Sequence, residues 1–202
     1  MSGRGAVGIV VLAAGLGSRF GPAPKLLASL DGRPLVRHAA EAALAADLGP
    51  VVAVLGHEAA RVSAVLDDLA LCPVVNPRFG EGLSTSVRAG LSALPGEVAA
   101  AIVLLGDMPR VAPDLLRDLA AAFEAAERKP AAVVPVRDGR RGNPVLLNRH
   151  RLSAEIEALS GDRGFGPLLA GRADVLEWPV RAEGVLIDVD TPEALARLSP
   201  GA

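Results

Sequence analysis

The strongest constraint on the fold is the alternation of continuous apolar runs with alanine-rich stretches of helical period. The apolar runs are rich in Val, Leu and Ala and occupy residues 7–13, 51–55, 73–75, 98–105 and 131–136. The stretches between them place apolar residues on one helical face and predict helices over 34–46, 59–69, 82–94 and 113–126. Apolar strands that are separated by helices form parallel sheets covered on both sides. We therefore expect an α/β fold of three layers, α/β/α, around a mostly parallel sheet.

The rhythm changes after residue 137. A polar turn is followed by predicted strands and helices of irregular spacing, at 144–147, 149–159, 175–180 and 185–189, with a short helix from Pro192. No repeat, low-complexity tract or linker interrupts the chain. We expect a single domain over residues 1–202, in which the last part is a small C-terminal elaboration over one end of the sheet.

Composition narrows the range of partners. The 202 residues carry a formal net charge of −2, and only 2% of them are aromatic. Such a chain lacks both the positive field and the stacking side chains that hold nucleic acid. The apolar run 7–14 is too short to cross a bilayer, so we expect a cytoplasmic protein without a membrane partner. The single cysteine, Cys72, lies in an apolar run and is predicted to be buried.

A glycine-rich loop follows the first predicted strand. Gly15, Gly17 and Gly21 allow the backbone N–H groups of this loop to approach phosphate oxygens closely. Arg19 and Lys25 bring positive charge to the same loop. The segment is therefore predicted to cradle the phosphates of a nucleoside triphosphate.

Two widespread phosphate-binding loops do not fit this segment. A P-loop requires Lys and then Ser or Thr directly after its last glycine, but Pro22 follows Gly21. The dinucleotide fingerprint opens a helix at once, whereas the glycines of 15–21 are spaced one residue too far apart and Pro22 and Pro24 delay the helix. The remaining alternative is a surface loop whose glycines only turn the chain, and the two basic residues weigh against it.

An aspartate stands directly after a buried strand. Asp107 follows the run 98–105, and ligands of open α/β sheets bind beyond the carboxyl ends of the strands. One or two carboxylates together with substrate phosphates are the usual ligands of Mg²⁺. The alternative is a turn aspartate beside Pro109 that bonds its own backbone.

A second acidic motif lies near the end of the chain. Asp188 and Asp190 are two residues apart in or beside the predicted strand 185–189, which would place them on one face. Thr191 and Pro192 are typical of the start of a helix. Asp190 is therefore either a ligand or a local turn and capping acid.

The helix predicted from Gly82 begins with hydroxyl groups. Ser84 and Ser86 lie in its first turn, where free N–H groups attract anions and the polar edges of bases. Ordinary capping by Ser84 is the alternative, and both roles are compatible.

These motifs together resemble one known family. The pattern Leu-Ala-Ala-Gly-x-x-x-Arg-x-Gly followed by Lys, the Gly-Asp-Met-Pro at 106–109 and the Asp before Thr-Pro at 190–192 look like those of the MobA-like nucleotidyltransferases. Members of that family add CMP or GMP to molybdopterin, and the sugar-nucleotide pyrophosphorylases are similar over the loop. The resemblance implies a Rossmann-like, glycosyltransferase-A-like nucleotidyltransferase fold.

The resemblance also implies a set of site residues. Arg19, Lys25 and Asp107 are the implied catalytic residues. Asp107 and Asp190 are the implied ligands of Mg²⁺, with Asp190 favoured over Asp188. Nucleotide contacts fall on Leu12, Ala13, Ala14, Gly15, Gly17, Arg19, Lys25, Ser84, Ser86 and Asp107. Acceptor contacts fall on Arg88, Arg141, Gly142, Asn143, Pro144, Asp162 and Gly164. Arg141 and Arg163 either grip an acceptor phosphate or are solvated, and Asn143 stands where the family has His.

Ala14 indicates which nucleotide is used. The similar loop begins Ala-Ala-Gly in the cytidylyl branch and Ala-Gly-Gly in the guanylyl branch, and a methyl group at residue 14 narrows the pocket toward a pyrimidine. We expect transfer from CTP rather than GTP to a molybdopterin-like phosphorylated acceptor, with release of pyrophosphate. The alternatives are an NAD(P)H- or flavin-dependent oxidoreductase, a sugar-1-phosphate nucleotidyltransferase, and an accessory protein of molybdoenzyme maturation. We expect a monomer or weak dimer that contacts a molybdoenzyme or its chaperone.

Overall fold

The apolar runs of the sequence become neighbouring strands in the computed structural model of the chain, which describes residues 7–162 and 164–198. The strands are β1 (Val7–Ala13), β2 (Ser29–Leu30), β3 (Arg33–Pro34), β4 (Val51–Leu55), β5 (Cys72–Val75), β6 (Ala100–Leu105), β7 (Ala132–Arg137), β8 (Arg140–Arg141), β9 (Val145–Asn148) and β10 (Val175–Pro179). The α-helices are α1 (Leu35–Ala45), α2 (Ala59–Ala64), α3 (Leu83–Ala93), α4 (Pro113–Ala125), α5 (Ser153–Ala158), α6 (Phe165–Leu169) and α7 (Pro192–Leu198). Short 3₁₀ turns cover Ser18–Phe20, Lys25–Leu27, Phe79–Glu81 and Glu183–Leu186.

The main sheet is mostly parallel, as predicted. Within the described residues it has eight strands in the order β10-β7-β9-β6-β1-β4-β5, with β8 paired to β7. The pairs β6–β1, β1–β4, β4–β5 and β7–β10 are parallel, whereas β9 runs antiparallel to both β6 and β7. Strands β2 and β3 form a separate hairpin. The antiparallel β9 belongs to the last third of the chain, where the sequence rhythm changes.

Alternate residues of the central strands enter two different cores. Ile9 and Val11 of β1 pack in a cluster with residues of α1 and α4, while Val10 and Leu12 pack in a second cluster with residues of α3. This period of two on a strand that is buried on both faces explains its continuous apolar sequence. Because helices cover both faces of the sheet, ligands have access only at its edges and ends.

The order of the strands creates a crevice at one end of the sheet. The chain passes from β1 to β4 and β5 on one side, and then returns to β6 on the other side of β1. Adjacent loops at such a reversal part in opposite directions and leave an opening at the carboxyl ends of the strands. The glycine-rich loop follows β1 and Asp107 follows β6, so both predicted motifs lie at this opening.

Four local predictions are wrong. Residues 185–189 do not form a strand, and a 3₁₀ turn at Glu183–Leu186 occupies part of this segment. Cys72 is exposed because β5 is an edge strand of the sheet. The helices predicted over 59–69 and 149–159 are shorter, Ala59–Ala64 and Ser153–Ala158. In the described part of the chain, no helix has both the length and the apolar composition needed to span a membrane.

Candidate active site

The ends of β1 and β6 bring the glycine-rich loop and Asp107 side by side. Leu12 and Leu105 are partners in the parallel register, and the N–H of Gly106 donates to the carbonyl oxygen of Leu12 over 2.9 Å. A Cβ atom on Gly106 would lie 2.9 Å from that same oxygen, so a side chain is excluded there. The glycine therefore allows the strands to stay paired up to the residue that precedes Asp107.

The loop after β1 is open along its backbone. The N–H groups of Gly15, Leu16 and Gly17 make no hydrogen bond within the described part of the chain. Gly17 has a left-handed φ of 60°, and a Cβ atom there would lie 3.0 Å from Cβ of Lys25. Phe20 anchors the end of the loop in a small buried cluster. Unpaired N–H groups on an anchored loop form an anion-binding surface, which fits the predicted phosphate cradle.

Lys25 is held between two aspartates. Its Nζ lies 2.5 Å from Oδ2 of Asp107 and 3.2 Å from Oδ1 of Asp190. Arg19 forms an ion pair with the other oxygen of Asp190. The side chains of Lys25 and Asp107 are only 12% and 17% exposed, so the first of these pairs is shielded from solvent. The three predicted charged positions and Asp190 thus form one network.

Burial and charge act differently on the two partners of the inner pair. Burial lowers the pKa of Lys25, but the carboxylates of Asp107 and Asp190 outweigh this effect and raise the pKa above its ordinary value. Burial raises the pKa of Asp107, and the Lys25 ammonium offsets this only in part because Asp188 and Asp190 add negative charge. The cation faces two acids, whereas the buried acid faces one cation and two more acids. The ammonium of Lys25 therefore stays charged, whereas the charged form of the Asp107 carboxylate is disfavoured by its surroundings.

One oxygen of Asp107 has no partner. Its Oδ1 is buried and accepts no hydrogen bond within the described residues. A buried carboxylate oxygen without a donor is costly unless a ligand or ion completes it. Hard carboxylate oxygens suit Mg²⁺, and Asp190 offers further oxygens nearby. In residues 7–162 and 164–198, no three His, Cys, Asp or Glu side chains form a ready-made metal cluster, so substrate oxygens would have to supply the other ligands.

A cavity of about 570 Å³ connects the loop to the acidic residues. We call it the phosphate-loop pocket, and its lining includes Leu12, Ala14, Gly15, Leu16, Gly17, Ser18, Arg19, Lys25, Phe79, Gly80, Leu83, Ser86, Leu105, Asp107, Asp162, Asp188 and Asp190. Its charged side chains are four carboxylates and two cations, so the pocket is acidic overall although its loop is basic. Sequence reasoning gave no site role to Phe79, and the signal that could have marked it is its position before the serine-containing helix start.

Two polar side chains, those of Asn76 and Asp162, fix the start of α3. Asn76 is buried and donates from Nδ2 to the hydroxyl oxygens of Thr85 (2.8 Å) and Ser86 (3.0 Å). The first N–H of the helix donates to Oδ1 of Asp162 over 3.1 Å. Ser86 lines the phosphate-loop pocket, whereas Ser84 is buried beside it with an Oγ that has no partner among the described residues. Of the two predicted serines, the structure therefore brings Ser86 to the pocket lining.

A second, smaller cavity of about 240 Å³ adjoins the first and shares Leu12, Leu83 and Leu105 with it. Four of the predicted acceptor residues line this second cavity, which we call the acceptor pocket: Arg141, Gly142, Asn143 and Gly164. Gly142 is required at its position because a Cβ atom would lie 2.4 Å from the carbonyl oxygen of Val185.

The other predicted acceptor residues lie elsewhere. Arg88 donates to the carbonyl oxygen of Leu159 and lines neither pocket. Pro144 is buried outside both linings, and Asp162 lines the phosphate-loop pocket instead. Arg163 lies outside the described residues.

Asp188 and Asp190 do reach one pocket, although not by sharing a strand face. The N–H of Val189 donates to the carbonyl oxygen of Asp107 over 2.9 Å, which ties this segment to the loop after β6. Thr191 accepts the N–H of Ala194 on its hydroxyl over 3.2 Å, as expected for the residue that caps α7. The start of α7 and the loop after β6 therefore approach each other, and the acids meet at that contact.

Sequence comparison finds a family that matches most of the chain. Residues 9–176 match the MobA-like NTP transferase domain. The chain is 33% identical over 171 residues to the bifunctional protein GlmU of Leifsonia xyli and 36% identical over 188 residues to that of Bordetella petrii. These alignments cover 81% and 87% of this chain but only 35% and 41% of the two relatives. The chain thus spans about two fifths or less of the length of these curated relatives.

Structural comparison finds the same fold. Rv0371c of Mycobacterium tuberculosis superposes with a TM-score of 0.84 at 28% identity, covering 97% of this chain and 98% of that one. A Methanothermobacter nucleotidyl transferase (Mth528) superposes with a TM-score of 0.81 at 25% identity, covering 96% and 95%. Molybdopterin-guanine dinucleotide biosynthesis protein A of Archaeoglobus fulgidus, at 22% identity and a TM-score of 0.71, shares the fold and covers 95% of this chain and 96% of that one. The predicted Rossmann-like nucleotidyltransferase fold is confirmed.

Proposed function

The chain belongs to the MobA-like NTP transferase family, and on that premise we propose that it moves a nucleotidyl group from a nucleoside triphosphate to a phosphorylated acceptor. The observation that carries the proposal is the network of Lys25 between Asp107 and Asp190, placed beside a loop whose backbone N–H groups are unpaired. Such a site offers donors for phosphate oxygens and acids for a cation, and it has no need of a side-chain nucleophile.

The reaction that fits this arrangement is an in-line displacement. An oxygen of the acceptor phosphate forms a bond to the α-phosphorus, the bond from the α-phosphorus to the bridging oxygen breaks, and pyrophosphate leaves with that electron pair. Lys25, Arg19 and the loop N–H groups would neutralise charge on the leaving pyrophosphate. Positioning and charge neutralisation supply most of the catalysis in reactions of this kind.

Asp107 and Asp190 would hold Mg²⁺ together with substrate oxygens. The unpartnered Oδ1 of Asp107 is the observation in this chain that fits such an ion. When bound, Mg²⁺ would offset the charge of the triphosphate and polarise its phosphoryl oxygens. A further structure of Rv0371c, with a TM-score of 0.82 to this chain, is a complex with manganese, which supports a divalent metal in this fold.

The finer proposal is transfer of CMP to molybdopterin, as the resemblance in the loop suggests. Ala14, which lines the phosphate-loop pocket, supports the choice of CTP because the similar loop of the cytidylyl branch begins Ala-Ala-Gly. The expected result is a higher turnover with CTP than with GTP, and a smaller difference in the variant Ala14→Gly. A preference of the unmodified chain for GTP would refute the choice.

Transfer to a sugar 1-phosphate is the second candidate. It is favoured by the identity of 33–36% to the two GlmU proteins, since the resemblance in the loop extends to the sugar-nucleotide pyrophosphorylases. Contact with a molybdoenzyme or its chaperone is expected only if the function is transfer of CMP to molybdopterin.

The deciding experiment measures pyrophosphate release from CTP, GTP or UTP with Mg²⁺, using molybdopterin and a sugar 1-phosphate as acceptors in parallel. Asp107→Asn should abolish release, and Asp114→Asn, at an exposed aspartate that does not line the phosphate-loop pocket, is the matched control. An unchanged rate in Asp107→Asn refutes the assignment. NADPH oxidation without pyrophosphate release would indicate the oxidoreductase alternative, and CTP binding without turnover on a competent acceptor would indicate the accessory role.

A further inference from the structure

The acceptor pocket has almost no polar side chains. Its walls are formed by aliphatic and aromatic groups and by glycines, including Leu12, Val103, Val134, Val145, Phe165 and Leu169. Among the described residues that line it, polar side chains come only from Arg141 and Asn143. This composition differs from that of the phosphate-loop pocket next to it, which carries six charged side chains.

The guanidinium of Arg141 is partly engaged. It donates from Nε to Oε1 of Glu177 over 2.8 Å and from Nη1 to the carbonyl oxygen of Leu169 over 3.0 Å. The side-chain amide of Asn143 makes no hydrogen bond in the described part of the chain. The pocket therefore offers a ligand the amide of Asn143, the remaining N–H groups of Arg141 and an apolar wall.

Such a wall discriminates against hydroxyl groups. A sugar carries a hydroxyl on most of its ring carbons, and each hydroxyl that enters this pocket without a partner would lose its hydrogen bonds to water. The side chains of Arg141 and Asn143 cannot satisfy hydroxyls that face the aliphatic wall. A flat ring or a branched alkyl group loses nothing on entry and gains from the removal of apolar surface from water.

We propose that the group next to the acceptor's phosphate is apolar, a flat ring or a branched alkyl group, and that it occupies this pocket with Asn143 bonding its one polar edge. The proposal rests on the proposed function, because it takes the pocket as the place of the acceptor. The three leucines shared by the two pockets make it possible for one molecule to reach both. Within the proposed function, it weighs against a sugar 1-phosphate as acceptor.

The test compares two phosphomonoesters on the nucleotide-free protein in the presence of Mg²⁺. Benzyl phosphate and glucose 1-phosphate carry the same phosphate group, so their difference in Kd reports the organic group. We expect benzyl phosphate to bind about tenfold more tightly or better, since one unsatisfied buried hydroxyl corresponds to about that factor. It should also shift the methyl NMR signals of the valines that line the pocket.

A pair of valines on one strand provides matched variants. Val134 lines the acceptor pocket, whereas Val133 is equally buried on the other face of β7 and packs in the other core. Val134→Thr keeps the shape but adds a hydroxyl to the wall, and it should weaken benzyl phosphate binding several-fold. Val133→Thr should leave that binding unchanged.

Three outcomes would overturn the proposal: glucose 1-phosphate binding as tightly as benzyl phosphate, equal effects of the two valine variants, or no shift of the valine methyl signals by benzyl phosphate at millimolar concentration. The proposed function fails by a different result. It fails when no nucleoside triphosphate with Mg²⁺ raises the melting temperature of the protein, because a ligand of the native state must do so.

Discussion

Replacing Lys25 by methionine removes the ammonium from the buried network and keeps a side chain of similar length. Asp107 would then face the carboxylates of Asp188 and Asp190 without a cation beside it. Loss of one partner from a buried ion pair costs about 3–5 kcal/mol of stability when the other stays charged. Because Asp107 is 17% exposed and can take up a proton, we expect a loss of about 2–3 kcal/mol at pH 8.

The sign of the pH dependence follows from the direction of the shift. Burial raises the pKa of Asp107 in the native protein, and removal of Lys25 raises that pKa further. A folded-state pKa above the unfolded value makes a stability contribution that is complete below the unfolded pKa and is lost as the pH rises through the folded pKa. The deficit of Lys25→Met relative to the unmodified protein should therefore be small near pH 4 and grow toward pH 8. The Lys25 ammonium stays protonated throughout this window, because its own pKa is raised.

Urea unfolding at pH 5 and pH 8 measures this difference directly. Asp107→Asn should be close to neutral in stability, and the double variant Lys25→Met/Asp107→Asn should recover most of the loss at pH 8, since no uncompensated charge remains. Equal stability of Lys25→Met and the unmodified protein at pH 8 would refute the reasoning. So would a deficit that grows as the pH falls.

Three further predictions concern stability and are measured by the same urea unfolding. Arg149 donates to the carbonyl oxygens of residues 91, 95 and 98, in α3 and the segment after it, over 2.6–2.8 Å. Arg149→Lys should therefore cost about 2 kcal/mol and should leave the pH dependence described for Lys25→Met unchanged. Gly90→Ala would place a Cβ 2.3 Å from a valine of β1 and should lower the free energy of unfolding by about 1–3 kcal/mol. Gly80→Ala, whose Cβ would have no atom within 4 Å apart from its chain neighbours, should be nearly neutral. Equal effects of the two variants would contradict the packing argument. Asp162→Ala removes the acceptor for the first N–H of α3 and should cost about 1 kcal/mol, with Asp162→Asn retaining much of it; a silent alanine variant would show that water replaces the cap.

The central strands were predictable because a strand that is buried on both faces has a continuous apolar sequence. Residues 7–13 and 51–55 contain no charged side chain, and the structure has strands at these bounds. The segment 185–189 shows the limit of this reasoning. Its run of β-branched and other apolar residues is typical of a strand. Its backbone, however, bonds to two loops, through the carbonyl oxygen of Val185 to Asn143 and through the N–H of Val189 to Asp107. A pattern of apolar side chains predicts which residues are buried. It does not predict which neighbouring segment has backbone groups free to form hydrogen bonds with them.

The site was predictable where it depends on strand ends. The loop after β1 and Asp107 had to be neighbours once β1 and β6 were placed at the reversal of the sheet. The roles predicted for these residues stay predictions. Their distances from Asp190, and the entry of Asp188 into the lining, depend on how the last part of the chain packs back over the sheet. Contacts between residues so far apart in sequence leave no local signal, so single-sequence reasoning could not supply them.

The four carboxylates that face two cations in the phosphate-loop pocket have a consequence for which form of a nucleotide can enter. A free triphosphate carries several negative charges into a pocket that is itself negative, and like charges in a partly shielded site repel strongly. The same nucleotide carrying a divalent cation arrives with much of that charge cancelled. The acidic residues would therefore make the complex of the nucleotide with a divalent cation bind more tightly than the free nucleotide anion, which lacks the cation that the proposed reaction uses.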